Sequence, residues 1–160
     1  MAKVQPGRFT ATIEGNFVVF IIGMRINKAW KVHKWLPVAR AMGPMIAELS
    51  KHPDKGMLGV RFAWAGRTIT LIQYWRSFEH LEQFARNADD PHLAAWRRFN
   101  AAVGTAGDVG IYHETFKVDA NQYECVYNNM PVLGLAAAGQ HVPVAQRGER
   151  ASERIAAGQK

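Results

Sequence analysis

His113 lies in the run Val109-Gly110-Ile111-Tyr112-His113-Glu114-Thr115-Phe116. In an extended chain successive side chains alternate faces. Ile111, His113 and Thr115 therefore share one face, and Tyr112, Glu114 and Phe116 the other. An imidazole titrates near neutrality, so His113 can shuttle a proton. It can equally be a structural histidine, and Glu114 can equally pair with an arginine. Arg61 and Gln73 stand in segments that otherwise read as buried strands. A polar group buried without a partner costs about 1–3 kcal/mol, so each must be paired or face a cavity. Arg61 can pair with Glu114. It can also bind an anionic substrate or hold a developing enolate or phenolate. His113, Arg61 and Gln73 are the candidate catalytic residues.

A second group is aromatic. Trp30, His33 and Trp35 precede a proline at Pro37, and Trp64, Trp75 and Trp96 follow along the chain. Trp30, His33, Trp64, Trp75 and Trp96 are the candidate substrate-binding residues. A pocket lined by such rings suits a flat phenolic or polycyclic small molecule. The competing reading is that each ring fills space between a sheet and its helices. No His-x-x-x-His pair is present and Cys125 is the single cysteine, so no metal site is expected. Gly104-Thr105-Ala106-Gly107 follows a helix and does not join a strand to a helix, so no nicotinamide or flavin fingerprint is read.

These residues need elements to hold them. Residues 1–15 are polar and read as an arm. Phe17 to Arg25 is apolar at odd and even positions alike, the pattern of a strand covered on both faces. In Lys28 to Lys51, the residues Val38, Met42, Met45, Ile46 and Leu49 form one helical stripe. Pro37 is expected to start that helix or kink it. Met57 to Trp64 and Arg67 to Trp75 read as a hairpin turning at Ala65-Gly66. Ser77 caps a helix to about Arg86, Asp90-Pro91 restarts it, and it stops at Gly104. Asp108 to Val118 is the last strand, residues 119–131 read as irregular, and 132–160 as an extension that wraps or stays mobile. The order strand, helix, strand, strand, helix, strand over residues 16–131 predicts an α+β fold, the ferredoxin-like βαββαβ plait. It has a four-stranded antiparallel sheet with helices on one face. The second apolar face calls for a cover, and an identical sheet from another copy would supply it, giving a homodimer.

Composition bounds the function classes. The 160 residues carry a net charge of +7, with 48% hydrophobic and 21% charged residues, which suits one globular domain. The positive charges are scattered and match no recognition motif, so no nucleic acid partner is expected. The longest strongly apolar run is Phe17 to Met24, too short to span a membrane. No secretory leader is readable, and the reading is cytoplasmic.

Four stretches resemble a known family: Asn27-Lys28-Ala29-Trp30-Lys31-Val32-His33-Lys34-Trp35-Leu36-Pro37-Val38-Ala39-Arg40, then Gln73 to Leu81, Pro91 to Asn100 and Gly107 to Phe116. Together they look like the bacterial DUF4188 or "monooxygenase family" domain, over roughly residues 8–135. The wider superfamily is the dimeric α+β barrel. It holds cofactor-free oxygenases acting on polyketide phenols, haem-degrading monooxygenases, aldoxime dehydratases and members without known chemistry. The resemblance implies a pocket between sheet and helices and a monooxygenase-like small-molecule enzyme needing no NAD or flavin of its own. Haem is the one cofactor it brings into view, since haem-degrading relatives carry an axial histidine on the second helix. His92 shares a stripe with Trp96, Phe99 and Val103 and is preferred to His80, which shares one with Phe84. A haem-dependent degrading or dehydratase enzyme, and a catalytically silent dimeric ligand-binding protein, remain the alternatives.

Overall fold

The computed structural model describes residues 2–86, 97, 100, 101 and 103–157. The two-sided apolar run becomes β2 (Phe17–Ile26), preceded by β1 (Val4–Thr12). Then follow α1 (Val32–Lys51), β3 (Met57–Ala65), β4 (Thr68–Trp75), α2 (Phe78–Arg86) and β5 (Val109–Val118). Four of the strands form one sheet in the order β3-β4-β2-β5, and every neighbouring pair is antiparallel. Each helical crossover skips one strand, which is the expected ferredoxin-like plait. The hairpin turns at Gly66-Arg67, one residue later than expected, with Gly66 at φ +57°.

α1 starts at Val32, which corrects the expectation that Pro37 starts it. The helix runs unbroken through Pro37 and Pro44. Each proline leaves the carbonyl four residues earlier, on His33 and Arg40, without its helical donor. Both prolines, His33 and Arg40 are exposed, so those carbonyls lie within reach of solvent. The opposite side buries Val38, Met45 and Leu49, and that burial holds the helix together. Among the described residues no helix is long and apolar enough to cross a membrane.

The ends of the chain form a second sheet. β6 (Tyr127–Pro131), β1 and β7 (Gln140–Pro143) lie in the order β6-β1-β7, all antiparallel. The segment read as an arm is thus a central strand, and part of the stretch read as irregular is its partner. Beyond residue 132 the chain adds α3 (Leu135–Ala138) and α4 (Ala151–Ala156). Leu135, Ala136 and Val144 are buried there. Arg154 is also buried: it bonds Glu124 and donates to the carbonyls of Gly148 (3.0 Å) and Glu149 (2.8 Å), pinning α4.

The faces of β2 separate cleanly. Val18, Phe20, Met24 and Ile26 face α1 and α2, in clusters with Val38, Leu49, Trp75, Leu81 and Val109. Phe17 and Val19 face the other way, in a cluster with Ala11, Leu135 and Ala136. The chain's own termini therefore cover one half of the outer face. α3 presses so close that a Cβ on Gly59 would meet the Ala138 Cβ at 3.1 Å. On the half that no described residue covers, the Tyr112 ring crosses Gly23 and its hydroxyl shares a 2.8 Å hydrogen bond with Thr70 Oγ1.

Asp108 fastens the entry to α1. Its side chain is 5% exposed and meets Lys28 Nζ at 2.8 Å and Lys31 Nζ at 2.9 Å. Its carbonyl accepts from the backbone N–H groups of Asn27 and Lys28. Hydrogen bonds from the two lysines hold the carboxyl at about 2, below the usual carboxylate range. A depressed carboxyl stabilises the fold above its unfolded value, and that contribution is lost as pH falls through the folded value. Acid unfolding should therefore show a stability difference between wild type and Asp108→Asn that is full above about pH 4 and shrinks toward about pH 2. Equal pH slopes in the two proteins would contradict the clamp. A second check concerns Gly23→Ala, whose Cβ would meet the Tyr112 ring at 2.3 Å. Urea unfolding should show a loss of roughly 1–3 kcal/mol, largely restored when Tyr112→Ala is added.

Candidate functional site

The helix-facing rows of the sheet follow from strand register. Gln73, Phe20 and Thr115 lie opposite one another across β4, β2 and β5, and Leu71, Ile22 and His113 form the next row. Above them lies the Met42, Met45 and Ile46 side of α1. Between sheet and helix are two adjoining cavities of about 420 and 270 Å³ that share Ile22, Met42 and Ile46 as lining. They read as one groove. The larger end is lined, among the described residues, by apolar groups such as Met24, Phe62 and Leu71. The smaller end has three polar side chains in its described lining: Gln73, His113 and Thr115. Trp75, Phe78 and Phe84 stand around them.

Gln73 is 4% exposed and Trp75 is fully buried. As i, i+2 neighbours on one strand they share a face. The Trp75 Nε1–H donates to Gln73 Oε1 at 2.9 Å. His113 lies on the edge strand and is exposed at its outer side, with its ring 5.9 Å from that of Phe20. The backbones of Gln73 and His113 are two strand spacings apart, roughly 10 Å, which leaves room for a flat ring between them. The arrangement can hold an apolar molecule, donate a hydrogen bond from Gln73, and exchange a proton at His113.

Of the candidate catalytic residues, the fold brings His113 and Gln73 together and separates Arg61 from both. Arg61 is exposed on the outer sheet face, in the row Arg61–Ile72–Ile21–Glu114. It therefore shares a face with Glu114, but two strands lie between them, roughly 14 Å, so they form no pair within one chain.

Among the aromatic candidates, Trp75 lines the groove. Trp30 is 74% exposed and Trp64 is 68% exposed, the latter donating to the Gly66 carbonyl at 2.8 Å. His33 is exposed as well. None of these three is part of the described groove lining. His80 is a cap histidine: Nδ1 lies 2.9 Å from Ser77 Oγ, and the ring packs over Gly56. His92 and Trp96 lie outside the described residues. Phe20, Met42, Phe78 and Thr115 belong to the groove although the sequence reading did not single them out as site residues. The alternation of β5 points to Thr115 and the α1 stripe to Met42. Nothing local distinguishes Phe20 or Phe78 from core.

Comparison with known proteins adds the family. Residues 17–135 match the model of the family described as Monooxygenase af470-like. The chain is 31% identical over 157 residues to Monooxygenase af470 of Aspergillus fumigatus, an alignment covering 83% of this chain and 54% of that protein. A crystal structure of aldoxime dehydratase (OxdRE) in complex with butyraldoxime superposes with a TM-score of 0.65 at 19% identity, over 86% of this chain and 42% of that one. That likeness shows the fold, and the chain spans about half the length of each of these relatives. The monooxygenase-family resemblance is borne out, whereas the DUF4188 label finds no support in the match. With its plait, its groove and a match running from β2 to α3, this chain belongs to the Monooxygenase af470-like family.

Proposed function

We propose that this chain is a monooxygenase-like enzyme acting on a flat, largely apolar small molecule with an ionisable phenol or enol. One observation carries the reading: an apolar groove whose described polar side chains, Gln73, His113 and Thr115, gather at one end. The family match supports it. In this reading His113 takes the proton of the phenol or enol, and the amide of Gln73 holds the oxyanion that results. The carbanion form then reacts with dioxygen. A substrate CH2 loses two hydrogens and gains one oxygen as a carbonyl, and the second oxygen leaves with those hydrogens as water. The substrate supplies all four electrons that reduce dioxygen, and no nicotinamide or flavin is called for.

Oxygen uptake with an anthrone-type phenol tests this. Wild type should consume oxygen, and His113→Ala should lower kcat by about a hundredfold or more. Trp30→Ala, exposed and outside the described groove lining, should leave the rate unchanged. No uptake above the uncatalysed rate would overturn the reading. The haem alternative separates in the same preparation: a sharp Soret band on adding haemin, lost in His92→Ala or His113→Ala, would replace the cofactor-free reading.

We further propose that the open half of the outer face receives a second copy. Arg61 and Glu114 end one row of that face, on opposite edges of the sheet, with Ile72 and Ile21 between. Light scattering after size exclusion should give a dimer for wild type at micromolar concentration. Ile72→Asp, which puts a charge in the middle of that row, should weaken it. A wild-type monomer would refute the arrangement.

A further inference from the structure

We infer that the groove selects ligands bearing an acceptor oxygen, and that Trp75 is the positioning residue that makes it do so. The inference rests on the groove being the binding site. An indole N–H can only donate, so the Gln73 atom it meets at 2.9 Å must be the oxygen. That contact settles the orientation of the amide. It turns Nε2, with two N–H donors, away from Trp75. Among the described residues nothing accepts from Nε2, while Gln73 lines the smaller cavity beside Phe20 and Thr115. The donor is therefore left to the groove, whose described lining is largely apolar, and a ligand that displaces water there without accepting from it leaves the donor unanswered. A ligand offering a carbonyl, phenolate or enolate oxygen satisfies it. A hydrocarbon of the same shape leaves it bare.

Trp75 can impose this orientation because it cannot move. It is fully buried and packs with Val18, Leu49 and Leu81, and its ring centre lies 5.5 Å from that of Phe84. A glutamine has three side-chain torsions and would otherwise adapt to either a donor or an acceptor. With the oxygen held at the indole, the amide presents its N–H side to the groove and the site is selective by rejection.

Two probes of nearly equal shape test this: 2-acetylnaphthalene, with a carbonyl, and 2-isopropenylnaphthalene, with a methylene in its place. Their dissociation constants are measured by ligand-observed NMR on wild type, Gln73→Met and Trp75→Phe. Wild type should favour the ketone by about threefold to tenfold. Gln73→Met should bind both alike. Trp75→Phe keeps an aromatic ring but lacks the N–H. It should lose most of the preference while holding the hydrocarbon within about twofold. If Trp75 acted only through packing, both affinities would fall together and the preference would survive, which would overturn its positioning role. No preference in wild type, or one that persists in Gln73→Met, would overturn selection by the amide while leaving the groove as a binding site. If neither probe binds, the groove reading fails and this inference with it.

Discussion

β2 has no face that tolerates water, and the rest of the molecule is arranged around that constraint. Its even residues need one cover and its odd residues another. α1 and α2 supply the first, while the chain's own ends supply half of the second. The apolar area removed from water is the main driving force for each of these dockings. The groove is a by-product of how α1 covers a sheet that is wider than the helix. Where Met42 and Ile46 cannot fill the space above Ile22, the cavities remain.

The central plait was legible because its signals are local. Two-sided apolarity marked β2, β-branched and aromatic density marked β4, and a serine cap marked α2. What escaped was pairing between distant segments. β1 joins β6 and β7 across more than a hundred residues, as in Val4 opposite Pro131, and no window of sequence contains that register. The helix through Pro37 escaped because the rule weighs the missing donor, not the buried stripe behind it. Strict alternation would put Arg61 on one face with Met57 and Gly59. A register shift between Met57 and Gly59 breaks that alternation, so Met57 packs with the Trp75 cluster while Arg61 stays on the outer face.

The candidate site shows the same division. His113 and Gln73 were recognisable as polar residues in apolar strands, and they share the helix-facing side. The tryptophans were judged by type alone. Their exposure depends on where the fold puts each of them, which type does not encode. Trp75 sits on the inner strand β4 and is buried, whereas Trp64 sits on the edge strand β3 and is not.

α1 carries two prolines and Gly43 within its span. Relative to alanine, each proline disfavours an isolated helix by about 3 kcal/mol and glycine by about 1. This helix is consequently not an independent unit: it exists because the sheet beneath it is folded. Since α1 also roofs the groove, order in the roof and occupancy of the groove are thermodynamically linked. A bound molecule that fills the space under Met42 and Ile46 adds contacts to the element that lacks internal support. Amide exchange along α1 is thus a built-in meter of occupancy, slow when the groove is full and faster when it is empty, while β2 stays silent in both states.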